Sequence, residues 1–287
     1  MSVTIKGSPI PFSKKVAITI LVDNKAGTGL LSEHGFSLWI ERENERILFD
    51  TGQGRALFHN AKVLGIPLLS ADTLVLSHGH YDHTGSIDTI LSTSSHMKVY
   101  CHPSAFQKRY VIRKGIAREI GIPKSSLAQL KNLPQSRLFL SSEPTLLGKG
   151  IGLTGFVPRK SSFEDTGGPF YLDDRGETED LLEDDNSLWI EREEGLVVCV
   201  GCSHAGIVNI LRYIQDINAK SSILAVIGGF HLVEADKRRM EETILALRAL
   251  SSNTLVICHC TGEHAMKKLH TELPNVEIGR VGAQYFF

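Results

Sequence analysis

Residues Leu76-Ser77-His78-Gly79-His80-Tyr81-Asp82-His83-Thr84-Gly85 place three imidazoles and a carboxylate within six positions, directly behind a short apolar run, Thr73–Leu76. Such a run, bounded by turn residues, reads as a buried strand. His78 and His80 lie two apart, so an extended backbone turns both rings to the same side. Asp82 and His83 follow where the chain bends toward a helix beginning near Thr84, with Gly79 and Gly85 relieving the crowding of the bend. The layout can offer two nitrogens to one metal ion, and an oxygen and a nitrogen to a second. Imidazole and carboxylate are donors that zinc accepts in open, catalytic sites. The competing reading is a solvated polar loop with chance histidines, and the donor density argues against it.

The elements that must position these groups can be read from periodicity. Val16–Val22 reads as a strand, followed by a glycine-rich loop from Lys25 to Gly35; Ser37–Glu43 and Arg46–Asp50 read as a hairpin. Arg55–Leu64 carries a helical stripe that Gly65 and Pro67 end. Lys98–Cys101 reads as a strand, and Pro103 suits the first turn of a helix running to about Arg113. From Gly115 to Asp185 the pattern weakens; five prolines break it and Asp173–Asp185 is acidic, so residues 115–185 are expected to form a lid or insertion. A structureless loop that long would be unusual, so short strands are expected near Arg137–Leu140 and Ile151–Phe156. Gly150-Ile-Gly152-Leu-Thr-Gly155 matches a dinucleotide fingerprint by letter, but Val157-Pro158 follows where a helix should open, and the match is rejected.

The heptapeptide Ser37-Leu-Trp-Ile-Glu-Arg-Glu43 recurs unchanged as Ser187-Leu-Trp-Ile-Glu-Arg-Glu193, each copy leading through a polar turn into an apolar strand. Two halves with one strand–turn–strand order point to a pseudo-twofold sandwich. The second half continues with helix Ala205–Ile217, strand Ile223–Ile227, a helix from about Asp236 to Ala249, strand Thr254–Ile257, helix Glu263–His270 and strand Val276–Ile278.

With 287 residues, 42% hydrophobic and 22% charged, the chain has the composition of an ordinary globular protein. A formal net charge of −1 argues against nucleic acid as a partner, and no apolar run reaches membrane-spanning length. Met1–Lys15 contains Pro9 and Pro11 and lacks an apolar signal centre, so a cytoplasmic location is expected, with the five cysteines reduced. A homo-oligomer is compatible with all of this.

The sequence His-x-His-x-Asp-His behind a strand resembles the signature of the metallo-β-lactamase superfamily. Ile47-Leu48-Phe49-Asp50-Thr51-Gly52 resembles that superfamily's early strand with its buttressing aspartate, and Cys258-His259-Cys260-Thr261-Gly262 its last ligand-bearing loop. More narrowly, residues 26–35, Val200-Gly201-Cys202-Ser203-His204-Ala205-Gly206-Ile207 and Gly228-Gly229-Phe230-His231 resemble a prokaryotic branch labelled dihydropterin–ribofuranosylaminobenzene 5′-phosphate synthase. The resemblance implies a four-layer αββα sandwich formed as one domain over residues 1–287, with one or two divalent metal ions. Zinc suits the donors, with manganese or iron as alternatives. It implies His78, His80, Asp82, His83, His204 and His259 as ligands, with Asp50 orienting an imidazole. Where the wider superfamily has a bridging aspartate, this chain has Gly201-Cys202-Ser203-His204; Cys202 stands near that place, and capping of the following helix is the rival role for His204.

The implied chemistry is that of an enzyme, a metal-dependent hydrolase. Zinc lowers the pKa of bound water to about 7 and so supplies hydroxide for attack on an ester or phosphoester. Asp82 could hold that water or accept its proton. The branch label points instead to condensation of a pterin with an aminobenzene ribosyl phosphate. In that case Arg159 would grip phosphate, Phe230 would stack on the pterin and His231 would act as acid. Either way the partner is a small molecule, pterin-like or phosphorylated. A non-catalytic folate- or pterin-binding protein is the further alternative.

Overall fold

The computed structural model describes residues 15–219 and 222–287. All but the last residue of Met1–Lys15, on which the expectation about export rests, lies outside the described residues. The chain forms two compact units, the first from residues 15–141, 169–184 and 279–287, the second from residues 142–168 and 185–278.

In chain order the elements run β1 (Val16–Val22), β2 (Ser37–Arg42), β3 (Glu45–Phe49), α1 (Leu57–Val63), β4 (Thr73–Val75), α2 (Tyr81–Thr84), α3 (Ile87–Thr93), β5 (Lys98–Cys101), β6 (Tyr110–Arg113), β7 (Ile116–Glu119), α4 (Lys124–Lys131) and β8 (Leu138–Leu140). They continue with β9 (Thr145–Gly148), β10 (Ile151–Leu153), β11 (Phe170–Tyr171), β12 (Leu188–Glu191), β13 (Leu196–Val200), α5 (Ile207–Ile217), β14 (Ile223–Gly229), α6 (Lys237–Leu250), β15 (Thr254–Cys258), α7 (Glu263–Glu272), β16 (Val276–Ile278) and β17 (Gln284–Phe286). No helix among the described residues is long and apolar enough to cross a membrane.

Each unit carries a seven-stranded sheet, ordered β17-β1-β2-β3-β4-β5-β8 in the first and β16-β15-β14-β13-β12-β10-β9 in the second. The two sheets share one topology. In the first, β1–β2 and β2–β3 pair antiparallel, and β3–β4, β4–β5 and β5–β8 parallel. In the second, β10–β12 and β12–β13 pair antiparallel, and β13–β14, β14–β15 and β15–β16 parallel. The repeated heptapeptide marks equivalent strands: Trp39 faces Leu48 across β2–β3, and Trp189 faces Val198 across β12–β13.

Parallel pairs need crossover connections, and here helices supply them. In the second unit Ile207, Ile210, Leu211 and Ile214 of α5, Met240, Ile244 and Leu247 of α6, and Met266 and Leu269 of α7 share one core with Val198, Val200, Val226 and Leu255. In the first, Leu57 and Ala61 of α1, Ile87, Ile90 and Leu91 of α3, and Leu130 of α4 pack with Leu48, Leu74 and Val99. The i, i+3 and i+4 spacing of these residues made α1, α5, α6 and α7 legible in the sequence, whereas α4 falls in the stretch where no helix was expected. The residues of β13 are buried without alternation, as expected for a strand covered on both faces.

The segment 115–185, expected as a lid, is divided between the units. It supplies α4 and edge strand β8 to the first unit, and β10 with edge strand β9 to the second, while β11 joins β6 and β7 in a three-stranded sheet. Residues 150–155 lead into and out of strand β10 with no helix after it, in accord with rejection of the dinucleotide match. The helix expected from Pro103 to Arg113 is instead a single 3₁₀ turn, Pro103–Phe106, followed by β6. The β-favouring Tyr110-Val111-Ile112 pairs with β7 rather than continuing the turn. Arg109, between the two, is fully buried; its Nε lies 2.9 Å from Asp180 and its guanidinium 2.6 Å from Asp184 Oδ2. Two carboxylates of the acidic run are therefore interior ion-pair partners.

Two stability predictions follow from this packing. A Cβ added at Gly152 would lie 2.2 Å from the Trp189 indole. Gly152→Ala should therefore cost about 1–3 kcal/mol through overpacking, read as a lower urea midpoint. Asp184→Ala removes one partner of a buried cation and should cost about 3 kcal/mol in the same experiment.

Candidate metal centre

The residues singled out by type follow the carboxyl ends of each unit's strands, where open α/β sheets gather their functional groups. In the first unit β3 runs into Asp50 and β4 into Ser77-His78. Asp50 adopts a left-handed backbone (φ 59°), and its N–H donates to the Val75 carbonyl at 2.9 Å. That conformation aims a fully buried carboxylate at the following loop. Its Oδ1 accepts from the Ser77 N–H at 2.7 Å; its Oδ2 accepts from Ser77 Oγ at 2.6 Å and lies 2.7 Å from His83 Nδ1.

These bonds set proton positions. His83 donates from Nδ1 to the carboxylate, which leaves Nε2 its lone pair. Ser77 Oγ gives its proton to Asp50 and so accepts from His78 Nδ1 at 2.9 Å, which again leaves a lone pair on Nε2. His78 Nε2 and His80 Nδ1 lie 2.9 Å apart, so the two rings do meet on one side of the loop. Burial, reinforced by the Arg109 charge, lowers the His80 pKa to about 3, so the ring is a neutral donor at physiological pH. The helical turn begins at Tyr81, with His80 in the N-cap position, rather than near Thr84. Asp82 and His83 therefore stand on helix, anchored by Thr84 Oγ1 donating to the His80 carbonyl at 2.7 Å. Asp82 Oδ2 lies 3.1 Å from Nε2 of exposed His34 and 3.9 Å from His83 Nε2.

Two carboxylates have structural tasks here that the sequence did not disclose, although Glu33, with His34, was a candidate to line a cleft. Asp184 Oδ2 accepts from the Gly79 N–H at 2.7 Å, pinning the residue between the two histidines. Burial opposes its ionisation, but the Arg109 charge and hydrogen bond outweigh this and hold it below the usual carboxylate range. Glu33 accepts from the N–H groups of Gln53, Gly54, Arg55 and Ala56 at 2.8–3.2 Å, so it braces the loop after Asp50. The only sequence signal for either was a charge in a loop.

In the second unit, β13 runs into Gly201-Cys202-Ser203-His204, β14 into Phe230-His231 and β15 into His259-Cys260-Thr261. Ser203, His231 and His259 all have positive φ, of 58°, 44° and 50°. Hydrogen bonds tie the three loops together: Ser203 Oγ to the Gly229 carbonyl (2.7 Å), the Phe230 N–H to Thr261 Oγ1 (3.0 Å), and Thr261 Oγ1 to the Cys258 carbonyl (2.7 Å). His204 Nδ1 donates to the Thr166 carbonyl at 2.7 Å, so Nε2 keeps its lone pair. Capping of α5 falls to Glu164, which accepts from the Val208 and Asn209 N–H groups at 2.9 Å. His204 and His231 have ring centroids 4.2 Å apart. Cys202, His231 and Cys260 form a group of potential metal donors.

Arg159, expected to grip phosphate, donates to the His204 carbonyl at 2.6 Å. Phe230, expected to stack on a flat ring, is fully buried, in the core cluster that residues of α5, α6 and α7 share.

In both units, then, imidazoles are tautomerically set by a carboxylate, a hydroxyl or a carbonyl so that Nε2 is the donor, which suits a divalent metal ion. A profile of the metallo-beta-lactamase superfamily matches residues 33–211. The chain is 32% identical to the 7,8-dihydropterin-6-methyl-4-(β-D-ribofuranosyl)-aminobenzene-5′-phosphate synthase of Methanocaldococcus jannaschii, over 93% of this chain and 96% of the archaeal one. Among solved structures it resembles Tm1679, described as a metal-dependent hydrolase of the β-lactamase superfamily, at TM-score 0.79 and 31% identity, covering 94% of this chain and 98% of that one. It also shares its fold with YhfI of Bacillus subtilis, at TM-score 0.59 and 14% identity, covering 96% and 100%. The chain belongs to the metallo-β-lactamase superfamily and has its fold.

Proposed function

We propose that this protein is a metal-dependent hydrolase acting on an ester or phosphoester bond of a small molecule, with His78, His80, Asp82 and His83 as metal ligands of the first unit and His204 and His259 as those of the second. The observation that carries the reading is the Asp50 carboxylate, whose bonds to Ser77 and His83 turn the Nε2 atoms of His78 and His83 into ready donors. A divalent ion held by these residues would supply Lewis acidity and lower the pKa of a water molecule toward neutrality. Asp82, close to His34, is the residue proposed to hold or accept a proton. The Asp184–Gly79 bond keeps the His78–His80 backbone in place, so those rings need little reorganisation.

A second reading is favoured by the 32% identity to the M. jannaschii synthase: metal-dependent joining of a pterin to an aminobenzene ribosyl phosphate, with Arg159 as a phosphate contact. A panel of aryl esters, phosphomonoesters and phosphodiesters, assayed beside the pterin condensation, separates the two. Hydrolysis of one class, abolished by chelation and by His80→Ala, supports the first reading. Product from the condensation alone supports the second, and turnover indifferent to both chelation and His80→Ala sinks the metal-dependent reading altogether. Asp50→Asn is a milder probe, since asparagine also tolerates a positive φ. It should weaken metal binding by about 10–100-fold in a chelator competition while leaving the far-ultraviolet circular dichroism unchanged.

A further inference from the structure

The second unit holds a donor set unlike that of the Asp50 loop. The Sγ atoms of Cys202 and Cys260 and a ring nitrogen of His231 lie within 4.8 Å of one another. Tetrahedral coordination with zinc–sulfur bonds of about 2.3 Å puts two sulfurs about 3.8 Å apart, so only slight inward movement would join all three to one ion. Both cysteines are buried and none of the five forms a disulfide. Each of the three residues comes from a different strand end, so the cluster arises only where the loops after β13, β14 and β15 are tied together.

The backbone is bent to make that cluster. His231 sits at φ 44°, a conformation unfavourable for a non-glycine residue that persists where surrounding structure imposes it. At Gly229 a Cβ would lie 2.5 Å from Cys260 Sγ and 2.8 Å from the Gly201 carbonyl, so the thiol occupies the space a side chain would take. Two sulfurs and one imidazole favour a thiophilic ion such as zinc or cadmium over magnesium or manganese, which prefer oxygen.

We propose that Cys202, His231 and Cys260 form a sulfur-rich metal subsite for a thiophilic divalent cation, with two thiolates and one imidazole as ligands. This gives His231 a ligand's role in place of the acid role expected from sequence; because Cys202 Sγ also lies within 4.8 Å of a ring nitrogen of His204 and of His259, the inference rests on the metal-dependent reading above and deepens it. Binding a divalent ion releases the two thiol protons to solvent, and no oxidant or reductant is needed.

Cobalt(II) titration of the full chain tests the proposal. The wild type should develop thiolate-to-cobalt charge-transfer absorption in the near ultraviolet. Cys202→Ser and Cys260→Ser should each reduce it, their combination should abolish it, and His80→Ala should retain it. Absence of the band in the cobalt-loaded wild type, or its survival in the double variant, would overturn the assignment. Should the cysteine variants misfold, the unaltered chain answers by alkylation and peptide mapping. Cadmium should then slow modification of Cys202 and Cys260, and equal rates with and without cadmium would overturn the proposal.

Discussion

A single buried carboxylate organises the histidine loop of the first unit. Asp50 ends one strand and Ser77 follows the next, and the two are joined through both carboxylate oxygens, while the same group orients His83. An ionised carboxylate taken out of water is costly unless its lone pairs are filled. Here the Ser77 N–H, the Ser77 hydroxyl and the His83 imidazole fill them. The groups that stabilise Asp50 are thereby the groups whose proton positions decide which ring nitrogens face outward.

The second unit reaches a similar end by other means. His204 is oriented by the Thr166 carbonyl, a neutral acceptor, and the loops bearing Cys202, His231 and Cys260 are bound by Ser203 and Thr261 hydroxyls rather than by a carboxylate. The two sheets share strand order and hairpin register, yet their loops carry different donors, oxygen and nitrogen in one and sulfur and nitrogen in the other. One scaffold topology thus carries two different sets of potential donors, since these side chains sit on strand ends and not in the strands that pack the core.

Support for the histidine loop reaches far along the chain. Arg109 lies in a segment that departs from the expected helix, and its charge is balanced by Asp180 and Asp184 from the acidic run. Asp184 in turn holds the Gly79 N–H. Because the interior weakens screening, each partner is worth more than a surface pair, and the removal of one leaves the others uncompensated. The loop bearing His78 and His80 is accordingly braced on one side by Asp50 and on the other by Asp184.

What the amino-acid order alone determined is whatever is encoded within a few residues. The His78–His83 cluster is local, so its donor chemistry was readable directly. The apolar stripes of α1, α5, α6 and α7 follow a 3.6-residue period, and the repeated Ser-Leu-Trp-Ile-Glu-Arg-Glu segment announced two equivalent hairpins. Tertiary structure decided the rest. The partners of Arg109 stand 71 and 75 residues away, Glu33 meets the N–H groups of residues 53–56, and β17 closes onto β1 from the opposite end of the chain. Burial likewise decided Phe230, whose type fits a ligand face as well as a core, and turned Asp180 and Asp184 from apparent surface charges into interior ones. Periodicity reports which face of an element is apolar, but not which distant group will fill a buried lone pair; that is settled only when the chain has folded and desolvation makes the unfilled alternative too costly.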